Sequence, residues 1–477
     1  MLEKGERYQV EIIDVGSSGE GIGRVDGIAV FIHGAITGDK VLAEIKQIKK
    51  NYAKGEIVKL LAPSPDRTEP LCQYADSCGG CSFQSMNYRG QIALKKKWIR
   101  DCLTRIGGIE DPLVRDVITM DDPWNYRNKV QLAIGRISGH EKKQRGCDIG
   151  FFKRGTHDVI NCQMCLLQAK PVEAVAGAVR EYVKESKAPV FDETSGTGVL
   201  KGLMVKTAFG TGEIMVVVDA ALRRIPETKL LAEKIQDAIE ALSDGMTEGE
   251  GRYSFESLIL NVNPGRGPVS MRQENIVLAG KPTIKDRLMG LDFEISPNSF
   301  YQINPSQTEK LYEKVREYAD LTGRETVLDL YCGVGTIGLL LAGDAGRVIG
   351  VESIKAAVID ANRNAVINGI VNAEFICGKA ENELPVLIDQ GIRADVVVLD
   401  PPRAGCQPEL LAAAASAGPE RIIYVSCDPA TLARDIKILT QLGYRFIEAQ
   451  PVDMFPWTGH VECVVCIQKR NDSDSSI

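Results

Sequence analysis

The chain has 477 residues, too many for a single hydrophobic core, and its length corresponds to about three domains. A hydrophobic content of 44% suffices for folded domains; no apolar run approaches a membrane span, and the start Met1-Leu-Glu-Lys-Gly-Glu-Arg7 lacks the apolar stretch of a signal peptide, so a cytoplasmic protein without membrane contact is expected. The 13 cysteines argue for thiols, metal or catalysis rather than a disulfide framework, and the net charge of -7 conceals a basic segment, residues 84–154, in which 15 Lys and Arg face 8 Asp and Glu, a fitting footprint for a polyanion such as RNA.

Residues 1–62 read as short strands at 8–13, 21–25, 28–32, 40–45 and 55–58, with Asp26-Gly27 as a hairpin signal. That spacing predicts a small OB-like β-barrel. The segment resembles a TRAM domain, which implies RNA binding, with Lys46, Lys49, Lys50, Tyr52 and Lys54 as candidate contacts. Residues 62–67 form a Pro-rich linker.

A central α/β region, residues 63–290, opens with Cys72, Cys78 and Cys81, spaced C-x5-C-x2-C. Three cysteines at this spacing call for a fourth, and Cys162 and Cys165 both qualify. Four thiolates suit an iron–sulfur cluster or zinc equally. The spacing is not the C-x3-C-x2-C of radical enzymes, so a folding or RNA-positioning role is expected. Residues 195–198 and 244–251 read as polar loops, and the fold between them is not legible. Residues 306–321 carry helical spacing through Leu311, Val315 and Tyr318.

From Thr326, within a domain spanning 291–477, apolar strands alternate with helical segments: 326–331, 348–352, 374–377, 395–400 and 421–426, then a closing pair near Phe446 and at 462–467. This is the pattern of a doubly wound α/β domain, whose ligands sit at the carboxyl ends of the strands, where Asp329, Glu352, Asp400 and Cys427 fall. The run Gly333-Val-Gly335-Thr-Ile-Gly338 satisfies a dinucleotide fingerprint, but the glycines alone do not choose a cofactor. Asp329 before that loop and Asp400-Pro-Pro-Arg403 after the fourth strand resemble class I methyltransferases, which implies S-adenosylmethionine. Arg403 replaces the aromatic residue expected of an exocyclic-amine methyltransferase. Cys427 follows a buried strand and precedes Pro429, which can open a helix; a thiol at such a helix N-terminus is expected to ionise easily, against the bland alternative of a small core cysteine.

Taken together, the barrel, Cys72-Gln-Tyr-Ala-Asp-Ser-Cys78-Gly-Gly-Cys81, Tyr126-Arg-Asn-Lys129, Phe300-Tyr-Gln302-Ile-Asn304, Asp329-Leu-Tyr-Cys-Gly333, Asp400-Pro-Pro-Arg-Ala-Gly405, Ser426-Cys427-Asp-Pro429 and Met454-Phe-Pro-Trp-Thr-Gly-His-Val-Glu462 resemble the RNA 5-methyluridine methyltransferase family, 23S rRNA (uracil-5-)-methyltransferases in particular. The resemblance implies that Cys427 attacks carbon 6 of uracil and that Glu462 is the general base. It implies cofactor contacts from Gln302, Tyr331, Glu352 and Asp400. It selects Cys165 as the fourth cysteine, with Cys162 in reserve, and favours a [4Fe-4S] cluster. Lys379 stands where an acidic or amide residue would meet adenine, and Trp457 stands where relatives often carry His. Arg127 is a candidate RNA contact. The expected partner is RNA, with 23S rRNA favoured and tRNA as the alternative, and a monomer is expected. Methylation at a nitrogen, which needs no thiol, and an RNA-binding assembly factor with a relic cofactor fold are the competing readings.

Overall fold

The computed structural model describes residues 2–137, 146–247, 251–265 and 274–470. Residues 138–145 of the basic segment and 248–250 of the second polar loop lie outside them.

The strands Arg7–Val15, Glu20–Val25, Ile28–His33, Lys40–Ile48 and Tyr52–Ala62 close into a five-stranded barrel. Alternation in these strands turns Val10, Ile12, Val30, Ile32, Val41, Ala43 and Ile45 inward, and together they form the barrel's own core. The turn Asp26-Gly27 takes left-handed backbone at both residues, φ 49° and 80°, as a tight hairpin requires.

The middle of the chain builds a seven-stranded sheet in the order Asn275–Gly280, Ser254–Val262, Glu213–Ala220, Leu200–Thr207, Lys129–Gly135, Asp148–Phe152, Val159–Asn161. All neighbours are antiparallel except Glu213–Ala220 with Ser254–Val262. The helices Pro171–Ser186 and Thr228–Asp244 bury Val175, Val179, Leu231, Ile235 and Ile239 on one face. The hairpin Ile284–Leu288 and Leu291–Ile295 covers part of the other through Ile284 and Ile295.

The C-terminal sheet also has seven strands, in the order Ala373–Cys377, Arg347–Glu352, Thr326–Leu330, Val396–Leu399, Arg421–Ser426, Glu462–Lys469, Tyr444–Val452. The first five are parallel, and the last two add antiparallel. Strand order reverses between Thr326–Leu330 and Val396–Leu399, which opens a crevice at their carboxyl ends. The helix Tyr88–Arg105, reached by the chain long before this sheet, nonetheless packs Ile99 and Leu103 into the same core as Leu432, Ile436 and Leu439 of the helix Pro429–Gln441. Among the described residues no helix is long and apolar enough to cross a membrane.

Candidate active site at the carboxyl ends of the C-terminal strands

Asp329, fully buried, accepts the Gly338 N–H through Oδ2 at 2.8 Å and so ties the glycine loop back onto its strand. Two of the loop glycines are dictated by packing. A Cβ on Gly338 would stand 2.9 Å from that same carboxylate oxygen, and one on Gly335, at φ 82°, would press 2.8 Å from the Phe375 ring. Gly333 differs: it is left-handed, φ 56°, yet faces open space, the arrangement needed when a ligand approaches the backbone closely. Glu352 accepts the N–H groups of Gly333 (3.2 Å) and Ile354 (2.7 Å), which fixes the carboxylate beside the loop. Tyr331, itself left-handed at φ 69°, donates its hydroxyl to Glu381 at 3.0 Å. With Val351, Ser353, Lys379, Ala380 and Gln407 these two line a cavity of about 510 Å³, ample for a nucleoside. The open Gly333 backbone, the Glu352 carboxylate fixed beside it and the unpartnered Oδ1 of Asp329 suit S-adenosylmethionine as the group to be held.

Backbone register sets the second half of the site. In the antiparallel pair Arg421–Ser426 and Glu462–Lys469, Ser426 lies opposite Cys463. Cys427 directly follows Ser426 and Glu462 directly precedes Cys463, so the two lie at the same edge of this strand pair, close enough for Glu462 to act on the Cys427 thiol. Burial, with Asp400 and against Arg403, pushes the Glu462 carboxyl up to about 8. Burial likewise lifts Asp400 to about 7, and burial with Asp400 and Glu352 nearby lifts Asp329 to about 7.

The easy ionisation expected of Cys427 from its place before a helix is not found. Burial, then Glu462 and Asp400, push its thiol up to about 11, with Arg403 acting the other way. The helix terminus offers no offset. Asp428, not Cys427, is the N-cap, and its carboxylate already accepts the N–H groups of Ala430 (2.9 Å) and Thr431 (3.0 Å), so the helix terminus is occupied by another anion.

Three further residues, given no catalytic-site role by the sequence, stand at the site. Tyr312, buried on the helix Pro305–Ala319, stands among Asp400, Asp329 and Glu462, and its hydroxyl meets Thr336 at 3.0 Å. Arg403 bears on both Cys427 and Glu462 and reaches His460 at 3.3 Å. His460 is held below its ordinary value by burial, Arg403, Lys95 and Arg127. The Asp-Pro-Pro-Arg motif was a signal for Arg403; nothing local marks Tyr312. Gln302 is buried, and its carbonyl accepts the Asn128 amide at 2.8 Å, which ties the central sheet to the segment before Pro305–Ala319.

Cys72, Cys78, Cys81 and Cys165 line one small cavity, and Cys162 lines it too. Gly80 N–H points at Cys78 Sγ (3.4 Å) and the Gln84 amide at Cys81 Sγ (3.5 Å). Arg127, expected at RNA, instead faces this cavity, with a buried Nε that has no partner. A buried guanidinium among thiols fits thiolate ligands in charge and donor type. The side chains do not converge, however: among the described residues no three His, Cys, Asp or Glu come together as a metal site.

A doubly wound sheet with an open glycine loop, paired acids and a thiol at its carboxyl edge defines an S-adenosylmethionine-dependent methyltransferase. Residues 268–470 match the family model described as tRNA (Uracil-5-)-methyltransferase, and residues 2–58 match the TRAM domain. The chain is 45% identical to an RNA methyltransferase of Caldanaerobacter subterraneus subsp. tengcongensis and 42% identical to one of Clostridium acetobutylicum, with 98% of each chain covered in both cases. Among solved structures it is similar to the tRNA (uracil-54, C5)-methyltransferase of Pyrococcus abyssi in complex with S-adenosyl-L-homocysteine, with a TM-score of 0.75 and 28% identity over 96% of this chain and 99% of that one. The chain belongs to the TRAM-bearing family of RNA (uracil-5-)-methyltransferases, enzymes that take their methyl group from S-adenosylmethionine.

Proposed function

We propose that this enzyme methylates a uridine of 23S rRNA through a covalent bond between Cys427 and carbon 6 of the base, with Glu462 removing the proton from carbon 5. The observation that supports this reading is that Ser426 and Cys463, the neighbours of Cys427 and Glu462, pair across adjacent strands, and that Glu462 acts on the Cys427 thiol. Carbon 5 of uracil is a poor nucleophile until a thiolate adds at carbon 6 and turns the ring into an enolate. S-adenosylmethionine, when bound, supplies an electrophilic methyl group on a sulfonium whose positive charge favours ionisation of nearby acids. Gln302, Tyr331, Glu352 and Asp400 hold and orient it: Glu352 accepts from the ribose hydroxyls, Tyr331 lines the nucleoside cavity, and Gln302 and Asp400 act nearer the methionine end and the target base. Glu462 then takes the carbon-5 proton. The electron pair of that C–H bond re-forms the C5–C6 double bond, and the Cys427–carbon 6 bond breaks with its pair returning to sulfur. A uridine inside structured RNA reaches this site only by leaving its stack.

The expected result is that Cys427→Ala abolishes methylation, while Glu462→Gln permits methyl transfer and accumulates an enzyme–RNA adduct resistant to denaturation. Methylated RNA from the Cys427→Ala enzyme would overturn the mechanism. The target has a second reading, since the solved Pyrococcus abyssi relative acts on tRNA. Mapping 5-methyluridine across total RNA from a strain lacking the protein separates the two: loss confined to a tRNA position would replace 23S rRNA as the substrate. For the cysteine cavity we propose a [4Fe-4S] cluster held by Cys72, Cys78, Cys81 and Cys165, supported by the shared cavity and by Arg127 facing it. Protein purified anaerobically should contain iron and sulfide; zinc alone would overturn this.

A further inference from the structure

Glu462 is reached through residues 453–461, and several polar groups of that segment are held by distant parts of the chain. Asp453 accepts the Lys95 ammonium at 2.5 Å and the Tyr88 hydroxyl at 2.7 Å. The Pro456 carbonyl accepts the Tyr126 hydroxyl at 3.0 Å. Trp457 is the centre of the arrangement. Its N–H donates to Gln91 at 3.1 Å, its carbonyl accepts the N–H groups of Ser82 (3.0 Å) and Phe83 (3.2 Å), and its indole N–H donates to the Pro123 carbonyl at 3.0 Å. The indole stacks on Trp124, centroids 4.3 Å apart at 16°, and tilts against Tyr88 at 5.9 Å. Cys81 and Cys165 pack against the same group.

The backbone of Trp457 is left-handed, φ 67°, a conformation that costs a bulky residue free energy and persists only where surroundings over-determine it. Here the surroundings do so from four directions. The strained residue lies five positions before the general base, on the segment that enters the strand Glu462–Lys469. Nothing in the chemistry needs an indole at this point, and Trp457 is buried among Tyr88, Trp124, Tyr126 and Leu167, so its contribution acts through the chain that follows it.

We propose that Trp457 is a positioning residue for Glu462: its indole, anchored on Trp124 and Pro123, holds the left-handed turn that aims the base at carbon 5. This rests on Cys427 as nucleophile and Glu462 as base. It separates the steps of the reaction, because adduct formation and methyl transfer need Cys427 and the cofactor, whereas release needs a well-aimed Glu462.

The test uses the full-length enzyme, S-adenosylmethionine and a uridine-bearing rRNA fragment, with methyl incorporation and denaturation-resistant adduct followed in parallel. Trp457→Ala should lower turnover on the order of tenfold to a hundredfold, the loss typical of a small misplacement of a reacting group. Methyl transfer into the adduct should remain near the wild-type rate, so adduct should accumulate as in Glu462→Gln, and S-adenosylmethionine affinity should be unchanged. The pH dependence of adduct release should move towards acid, because a wetter Glu462 ionises more readily. Trp457→Phe, which keeps an aromatic ring to stack on Trp124 but loses the indole N–H and part of the ring area, should restore turnover to within about threefold of wild type and keeps the test open should Trp457→Ala fold poorly. Adduct formation and turnover falling together, or cofactor affinity falling with them, would overturn the proposal. Product formation by Cys427→Ala would instead overturn the covalent reading on which it rests.

Discussion

Glu462, Asp400, Asp329 and Cys427 crowd one crevice, and the free protein holds each of them above its ordinary value, towards the protonated form. An acid whose folded-state value is raised keeps a proton that the unfolded chain has already released. The stability contributed by Glu462 is therefore fully present below about 4.5 and is lost as the pH rises through about 8. Glu462→Gln removes the titration, so it should melt about 5 °C or more above wild type at pH 8 and close to wild type at pH 5, as read from thermal unfolding followed across that range. An unchanged difference between the two pH values would show that Glu462 is not held protonated. The thiol makes a parallel prediction: in the free enzyme, alkylation of Cys427 by iodoacetamide should keep rising through pH 10, where an ordinary thiol has levelled off, because only the thiolate reacts and its value lies near 11. Cys427 and its neighbours Asp428 and Pro429 were legible as a strand-to-helix junction, but its ionisation was misjudged. The groups that set it, Glu462, Asp400 and Arg403, come from other strands, and no local window of sequence contains them.

The helix Tyr88–Arg105 braces the base-bearing segment from behind, and its Lys95 and the facing Asp453 are both fully buried. Burial pulls Lys95 down and Asp453 pushes it back up, so the pair depends on contact. Lys95→Met would strand the Asp453 carboxylate with only the Tyr88 hydroxyl, at a cost of about 3–5 kcal/mol, whereas Lys95→Met with Asp453→Leu should lose less than either single change. Urea unfolding of the three variants checks this. The expected helix at 306–321 appears as Pro305–Ala319 because Asn304 caps it and Pro305 opens it, signals that sequence carries. The C-terminal strands were legible for a related reason: parallel strands buried on both faces read as unbroken apolar runs between turn residues. The central sheet was not. Leu200–Thr207 and Glu213–Ala220 are buried almost throughout, so neither shows the alternation that marks a strand, and such a run reads equally well as a buried helix. Helix Tyr88–Arg105 shows no strong apolar stripe either, since it buries Gln91 and Lys95 beside Leu94, Ile99 and Leu103.

The barrel is mounted directly on the machinery it serves. Asp14 pairs with Lys97 at 2.7 Å, the Trp98 indole donates to the Val15 carbonyl at 3.1 Å, and Arg67 bonds both Asp39 and the Gly34 carbonyl. A Cβ added at Gly459 would overlap the carbonyl of Ser17, so the barrel's first turn rests on the segment leading to Glu462 with no space between them. Holding RNA on the barrel and aiming the base are thus separable by mutation. Lys50 and Lys54 are exposed barrel cations, and Lys54 lines a groove with Phe31 and Arg154, so Lys50→Gln with Lys54→Gln should raise KM for RNA, reduce the salt slope of binding by about 2 and leave kcat near wild type. Gly459→Ala should do the reverse. It forces either the barrel or the segment to shift, and because Glu462, the proposed general base, lies three residues on, kcat should fall on the order of tenfold or more while RNA affinity changes little. Steady-state kinetics of both variants, with RNA binding measured at two salt concentrations, decides the matter. A fall in RNA affinity without a fall in kcat for Gly459→Ala would mean that the barrel yields and the base stays where it is.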